Sequence, residues 1–207
     1  MIEAAARRED PKEEIILSAA KTAFLEHGYA ATSMDLVAQT AHVSKTTLYA
    51  RFPSKESLFA AAIAAECERR GLSFSPAHFA DLSIEEALRR IGAILVDLLW
   101  SPEALRMEQI VTGEANRFPE VAEIFFRSGP CRVMETITAY FIDAVAKGKL
   151  EIPAEEAEFA ATQFITSFKG KLYCELLMGV RGTVPAEDRK SFVARAVDLF
   201  LKGAGAR

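Results

Sequence analysis

Apolar positions recur along this chain at spacings of three and four residues, and no segment keeps the strict alternation of a strand. Ile16, Ala19, Ala20, Ala23 and Phe24 form one such stripe. Asp10-Pro11-Lys12-Glu13 precedes it with an N-cap, a proline at the first helical position and a capping-box acid, and Gly28 supplies the stop. Thr32 or Ser33 caps a second helix with Val37, Ala38 and Ala41 turned inward. Ser44 caps a third, with Leu48 and Phe52 inward and Pro53 as its end, and Ser54 caps a fourth that runs to about Arg70. Gly71 to Leu82 is mixed and reads as a linker loop.

A second capping box, Ser83-Ile84-Glu85-Glu86, opens a helix that turns apolar on nearly all sides between Ile91 and Trp100, which places it centrally in a second unit. Ser101-Pro102-Glu103 starts a helix that ends near Asn116. Pro119 starts another, which Ser128-Gly129-Pro130 kinks or breaks, and helix resumes through Tyr140 to about Lys147. Pro153 to about Val180 reads as one long helix with Ala157, Ala161, Phe164, Phe168 and Leu172 on one side. A last helix carries Phe192, Ala196, Leu199 and Phe200. The predicted fold is all-α: a three-helix N-terminal domain over residues 10–55 and a larger helical bundle over residues 56–207.

Composition narrows the function. No apolar run is long enough to span a bilayer, and the charged stretch MIEAAARREDPKEE lacks the apolar core of a secretory signal, so a cytoplasmic protein is expected. Cys67, Cys131 and Cys174 are odd in number and widely spaced, and they read as small buried hydrophobes. His27, His42 and His78 form no ligand-spaced pair, so neither a metal nor a cofactor is implied. A net charge of −4 argues against general coating of nucleic acid but leaves room for a local basic surface.

Such a surface falls in the segment from Thr32 to Glu56. Two short helices joined by a tight turn, over about residues 33–52, have the layout of a helix-turn-helix, whose second helix lies in the major groove. Lys45, Thr46 and Thr47 open that helix behind the Ser44 cap and would meet base edges, while Leu48 points back into the domain. Tyr49 is placed to reach a phosphate with its hydroxyl, and Arg51 and Lys55 lie where flanking phosphates would run. Thr32 and Ser33, and likewise Ser54, leave backbone N–H groups at helix starts as further phosphate anchors. The alternative is a small trihelical core with a solvated polar face.

From Ile16 to Phe59 the chain resembles the N-terminal domain of the tetracycline-repressor (TetR) family of transcriptional regulators. The resemblance is carried by Gly28-Tyr29, Thr32-Ser33, Val37-Ala38, Val43-Ser44-Lys45 with Thr47-Leu48-Tyr49, and Phe52-Pro53-Ser54-Lys55-Glu56 with Leu58-Phe59. Beyond it, Arg117-Phe118-Pro119-Glu120 followed by Gly129-Pro130 looks like the AefR-like C-terminal subgroup. The resemblance implies an all-α homodimer with a DNA-binding head and a C-terminal domain that binds ligand and dimerises. Two positions depart from the pattern. His42 stands in the turn where the family usually has glycine, at a place that tends to need φ > 0. Ala50 stands where the family usually has an aromatic residue or histidine.

For the C-terminal region, Leu95, Leu98, Leu99, Trp100, Met107, Phe125 and Phe126 are candidates to line an apolar cavity, with Asp97 and Glu114 as groups that could orient a ligand. Packed core is the alternative for each apolar residue, and an outward or arginine-paired carboxylate for each acid. Phe164, Phe168, Leu172, Phe192, Ala196 and Phe200 are candidates for the dimer interface, where the resemblance implies a four-helix bundle of the last two helices from each chain; intrachain core is the alternative. The expected function is a ligand-responsive regulator, most readily a repressor. As a dimer it would bind a near-palindromic double-stranded operator and be released by a small, largely apolar effector. Two other classes are weighed. An enzyme would have to rest on Ser18-Ala19-Ala20-Lys21, which fits S-x-x-K without its companion motifs. An interaction or architectural module would bind protein, or DNA without sequence preference.

Overall fold

A computed structural model describes residues 10–72 and 74–203. Among them are eleven α-helices and no strand: α1 (Pro11–Ala31), α2 (Met34–Thr40), α3 (Lys45–Arg51), α4 (Lys55–Arg69), α5 (Ile84–Leu99), α6 (Pro102–Glu114), α7 (Pro119–Phe126), α8 (Arg132–Ala146), α9 (Ala157–Thr166), α10 (Lys171–Leu177) and α11 (Ala186–Gly203). Most of MIEAAARREDPKEE, as far as residue 9, lies outside the described residues.

The helix starts follow the caps. Asp10 accepts from the Lys12 N–H, and Ser33, Ser44, Ser54 and Ser101 each accept from a backbone N–H in the first turn of their helices. Ser83 and Glu86 exchange both bonds of the capping box. Gly28 does not end the first helix cleanly: with φ 79° and ψ 170° it breaks the helical path, and a last short turn continues to Ala31.

The N-terminal core gathers the stripe of α1 with Val37, Ala38, Leu48 and Phe52, all buried. It does not stop at residue 55, because Leu58, Phe59, Ala62 and Ile63 of α4 belong to the same cluster. Phe24, Tyr29 and Phe59 form an aromatic trio with ring centroids 5.0–5.8 Å apart. Phe118, between α6 and α7, stacks its ring edge-on against Tyr29 at 6.2 Å, and Met107, Val111 and Val121 join the same cluster. The head is therefore welded to the rest of the chain through α4, α6 and α7.

The C-terminal core is built on α5, α8, α9 and α11. The segment expected to be a linker is part of it: Leu72 and Phe79 are buried, and a 3-10 turn covers Pro76–Phe79. Phe79 packs edge-on against Tyr140 at 5.6 Å, so the segment is folded rather than spanning. A π-helical turn, Arg127–Cys131, carries Pro130 between α7 and α8.

The long helix expected from Pro153 to Val180 is divided. A 3-10 turn (Ala154–Glu156) leads into α9, and the chain leaves helix over 167–170, where Gly170 takes an extended conformation, before α10 begins. The break frees the Phe168 carbonyl, which accepts from the Trp100 indole N–H at 2.9 Å. A carbonyl required for a tertiary hydrogen bond is lost to the helix ladder, which periodicity cannot show. Cys67 is buried as expected, but Cys174 is exposed on α10.

Candidate nucleic-acid interface

The reading helix α3 presents its first turn to solvent. Lys45 and Thr46 are exposed, Thr47 is half-buried, Leu48 is fully buried and Tyr49 is 47% exposed. The alternation follows from the helical period, since one inward residue per turn anchors so short a helix and leaves the others outward. Ser44 accepts from the Thr47 N–H at 3.1 Å, and the two hydroxyls meet at 2.8 Å, which fixes the first turn. Lys45 donates to Asp35 at 2.7 Å. That bond raises the Lys45 pKa, so the ammonium stays charged at any working pH. It is a surface pair that an incoming phosphate can replace.

The turn before α3 is closed by the Val43 N–H bonding back to the Ala38 carbonyl at 3.0 Å. His42 sits in this turn with φ 53°, the left-handed conformation that the sequence pattern requires. Ala50 is exposed and adds no polar group to the reading face. Arg51 is half-buried and its guanidinium donates to Asp10, which ties the end of α3 to the start of α1. This bond holds the Asp10 carboxyl below its ordinary value.

Two proposed phosphate contacts are occupied by the head itself. Thr32 is only 2% exposed, and its hydroxyl donates to the carbonyls of Ala23 and Gly28, at 3.1 and 2.7 Å. It closes α1 across the Gly28 break, and only Ser33 caps α2. Lys55 donates to the carbonyls of Tyr29 and Thr32 at 2.7 and 3.0 Å, with its ammonium 4.2 Å from the Tyr29 ring centre. Burial lowers its pKa. Its charge neutralises the carbonyl end of α1, a role that the adjacent basic side chains did not suggest because it depends on α1 and α4 meeting. Tyr29 in turn donates to Glu56 at 2.9 Å.

The exposed set is therefore Ser33, Ser44, Lys45, Thr46 and Tyr49, flanked by Thr47, Arg51 and Ser54 at intermediate depth. It forms a polar, partly basic surface on the head. The model of the bacterial regulatory proteins of the tetR family matches residues 16–62, and that of the AefR-like transcriptional repressor C-terminal domain matches residues 86–203. The chain belongs to the TetR family. It is 27% identical over 199 residues to the HTH-type transcriptional regulator UidR of Escherichia coli K12, covering 93% of this chain and 92% of UidR. Among solved structures, the flavonoid-responsive regulator FrrA is 35% identical with a TM-score of 0.71, covering 93% of this chain and 96% of FrrA. A TetR-family regulator from Mesorhizobium loti shares the fold with a TM-score of 0.76 at 21% identity, covering 93% and 96% of the two chains. Regulators of this family are ligand-responsive DNA-binding repressors that act as dimers.

The proposed pocket residues separate into groups. Leu98, Leu99, Met107 and Phe125 line one largely apolar cavity of about 240 Å³ between α4, α5, α6 and α9, with Ile63 and Met134 opposite. Lys21, Glu66, Glu108 and Lys169 stand at its polar edges. Leu95 is instead fully buried core. Trp100 faces away, into a separate cleft beside α6. Phe126 is 58% exposed at the end of α7, one residue on from Phe125 and so on a different side of the helix. Asp97 pairs with Arg189 at 2.9 Å. Glu114 is not at the cavity: its carboxylate accepts from the Ala30 N–H at 3.0 Å and lies against Gly28. It is the tip of α6 gripping the end of α1, a contact made between positions 84 residues apart.

The proposed interface residues separate likewise. Phe164 and Phe168 are fully buried within the chain, packed on Phe141, Phe192 and Phe200. Phe192, Ala196 and Phe200 are half-buried and line an open apolar groove between α9 and α11, while Leu172 is half-buried on α10. The exposed apolar residues of that groove are Phe159 (61%) and Leu199 (75%). Leu199 lay in the final helix's pattern, but nothing in the sequence separated its face from the core face.

Proposed function

We propose that this protein is a cytoplasmic, dimeric operator-binding repressor released by a small, mostly apolar effector. The observation that carries the reading is the first turn of α3, where Lys45, Thr46 and Tyr49 are exposed around a fully buried Leu48. Ser33 and Ser54 add helix starts for phosphate. The two chains pair through the α9–α11 groove, with Phe159 and Leu199 at its centre, since an exposed apolar strip of this kind calls for a partner. Isologous pairing presents two reading helices to a near-palindrome.

The effector occupies the 240 Å³ cavity lined by Met107 and Phe125. The flavonoid response of FrrA makes a flat aromatic molecule with a few polar groups the first class to test. Transmission runs through α6, which walls the cavity with Ala104, Met107 and Glu108 and ends at Glu114 on the head. An effector that fits only a shifted α6 moves the head, and the population follows its preference between the two states.

The test is selection of bound genomic fragments, followed by anisotropy titrations on the recovered site. Lys45→Ala and Tyr49→Phe should each weaken specific binding in a dimer with an unchanged far-UV spectrum. Equal affinity for the recovered site and for random DNA would refute sequence-specific regulation. Ala104→Phe, which fills the cavity, should keep operator binding and abolish release by a flavonoid that releases the unmodified protein.

A further inference from the structure

On the opposite side of α6 from the effector cavity lies a second space, an open cleft of about 870 Å³. The helix divides the two by period. Glu103, Ala104, Met107 and Glu108 face the cavity, whereas Pro102, Leu105, Arg106 and Gln109 face the cleft. The cleft does not belong to the site proposed above.

Its walls carry Arg69 and Arg70 from the end of α4, Arg106 from α6, Arg181 from the loop before α11, and Arg189 from α11. Asp97 is the one acid among its lining residues. The acids that pair with the other arginines stand outside the lining. Glu66 holds Arg69 and Arg70, Glu103 also holds Arg70, and Glu175 holds Arg181. Arg70 is fixed at three points, to Glu66 at 2.6 Å, Glu103 at 2.9 Å and the Asp97 carbonyl at 2.7 Å. Arg69, Arg70 and Arg181 are thus each held by an acid outside the lining, in a chain whose net charge is −4.

Two donors lack acceptors. Arg106 is exposed and makes no ion pair or hydrogen bond among the described residues. The Arg189 Nε is buried without a hydrogen-bond partner, although Nη1 reaches Asp97. A buried donor left unpaired is costly, so an acceptor that reached this Nε from the cleft would be favoured. The rest of the lining mixes apolar Trp100, Leu105, Leu176 and Val184 with polar Ser101, Gln109 and Thr183. The Trp100 N–H is already used on Phe168 and the residue is 7% exposed, so the indole offers the cleft a small, apolar surface.

We propose that this cleft binds an amphipathic organic anion, its acidic group on Arg106 and Arg189 and its apolar body on Trp100. Guanidinium groups suit carboxylate, sulfonate and phosphate oxygens alike, and the tryptophan selects a flat or hydrocarbon body.

The probe is 1-anilinonaphthalene-8-sulfonate, titrated by calorimetry into the full-length dimer. Its sulfonate-free relative N-phenyl-1-naphthylamine is the control. The expected result is saturable binding of the sulfonate at one site per chain, weakening with salt. Arg106→Gln should lower that affinity about tenfold, the loss of one charge-assisted hydrogen bond, and leave the neutral relative unaffected. Ala104→Phe, which fills the cavity across α6, should leave it within twofold. Arg189→Gln, read alongside a melting curve, decides the matter if Arg106→Gln does not fold. Absence of saturable binding overturns the assignment. So does an affinity unmoved by the arginine variants, or one abolished by Ala104→Phe.

Discussion

Gly28→Ala should destabilise the protein by about 2–5 kcal/mol, from two separable causes. The first is the backbone. Gly28 holds φ 79° and ψ 170°, a region essentially closed to residues with a Cβ, at a cost of about 1–3 kcal/mol. The second is Glu114. A Cβ on Gly28 would stand 2.6 Å from the Glu114 Oε1, so the carboxylate must withdraw. The Ala30 N–H then loses its charged acceptor, which adds about 1–2 kcal/mol at this exposed position. Urea unfolding at one fixed protein concentration measures the total. The same measurement on Glu114→Ala and on the double variant separates the causes. With Glu114 already removed, Gly28→Ala should cost only the backbone part, giving a coupling of about 1–2 kcal/mol. A loss below about 1 kcal/mol in the unmodified protein would refute the backbone argument. Equal losses in both backgrounds would show that Glu114 does not grip the head at Gly28.

Three further outcomes are expected. Lys45→Ala should lower the slope of log affinity against log salt by about one, whereas Lys55→Ala should leave the slope unchanged and destabilise the head by about 1–3 kcal/mol, as unfolding and salt titrations will show. Leu199→Asp should convert the dimer to monomer in sedimentation equilibrium with the helical spectrum retained; an unchanged dimer would remove the α9–α11 groove from the interface. Glu66 gives a pH dependence. Its burial disfavours the charge, but Arg69, Arg70 and Lys21 outweigh it and hold the carboxyl at about 2. A depressed folded-state pKa contributes stability that is present above the unfolded value near 4.5 and lost as pH falls toward about 2. The deficit of Glu66→Gln in urea unfolding should therefore be largest near neutrality and shrink across that window; a constant deficit would contradict the ion-pair assignment.

Much of the head was legible because its information is local. Caps at Ser44, Ser54 and Ser83 act within one turn of their own helices, and the Ile16-to-Phe24 stripe needs only a helical period and a core to face. The left-handed His42 was legible for the same reason, since a tight turn between two short helices dictates its own backbone. The partners of Thr32 and Lys55, the broken end of α1 and its carbonyls, lie 4 to 26 residues away and meet them only in the folded head, so they were not legible in the sequence. The single helix read from Pro153 to Val180 failed likewise, where the demand of Trp100 for the Phe168 carbonyl crosses 68 residues.

The sequence by itself determined the helical class, most helix starts, the reading helix and which of its side chains turn outward. These follow from chain-local sterics, capping and periodicity. Tertiary structure alone decided which apolar faces are shared. It put Phe164 and Phe168 inside the chain but left Phe159 and Leu199 bare, and it took Leu95 into the core but left Met107 at a cavity. It also carried α6 across the molecule so that Glu114 rests on Gly28 while Arg106 faces a cleft on the other side. An apolar residue satisfies the same hydrophobic pattern against its own core, a ligand or a second chain, because burial is non-directional. Only the packed arrangement distinguishes them.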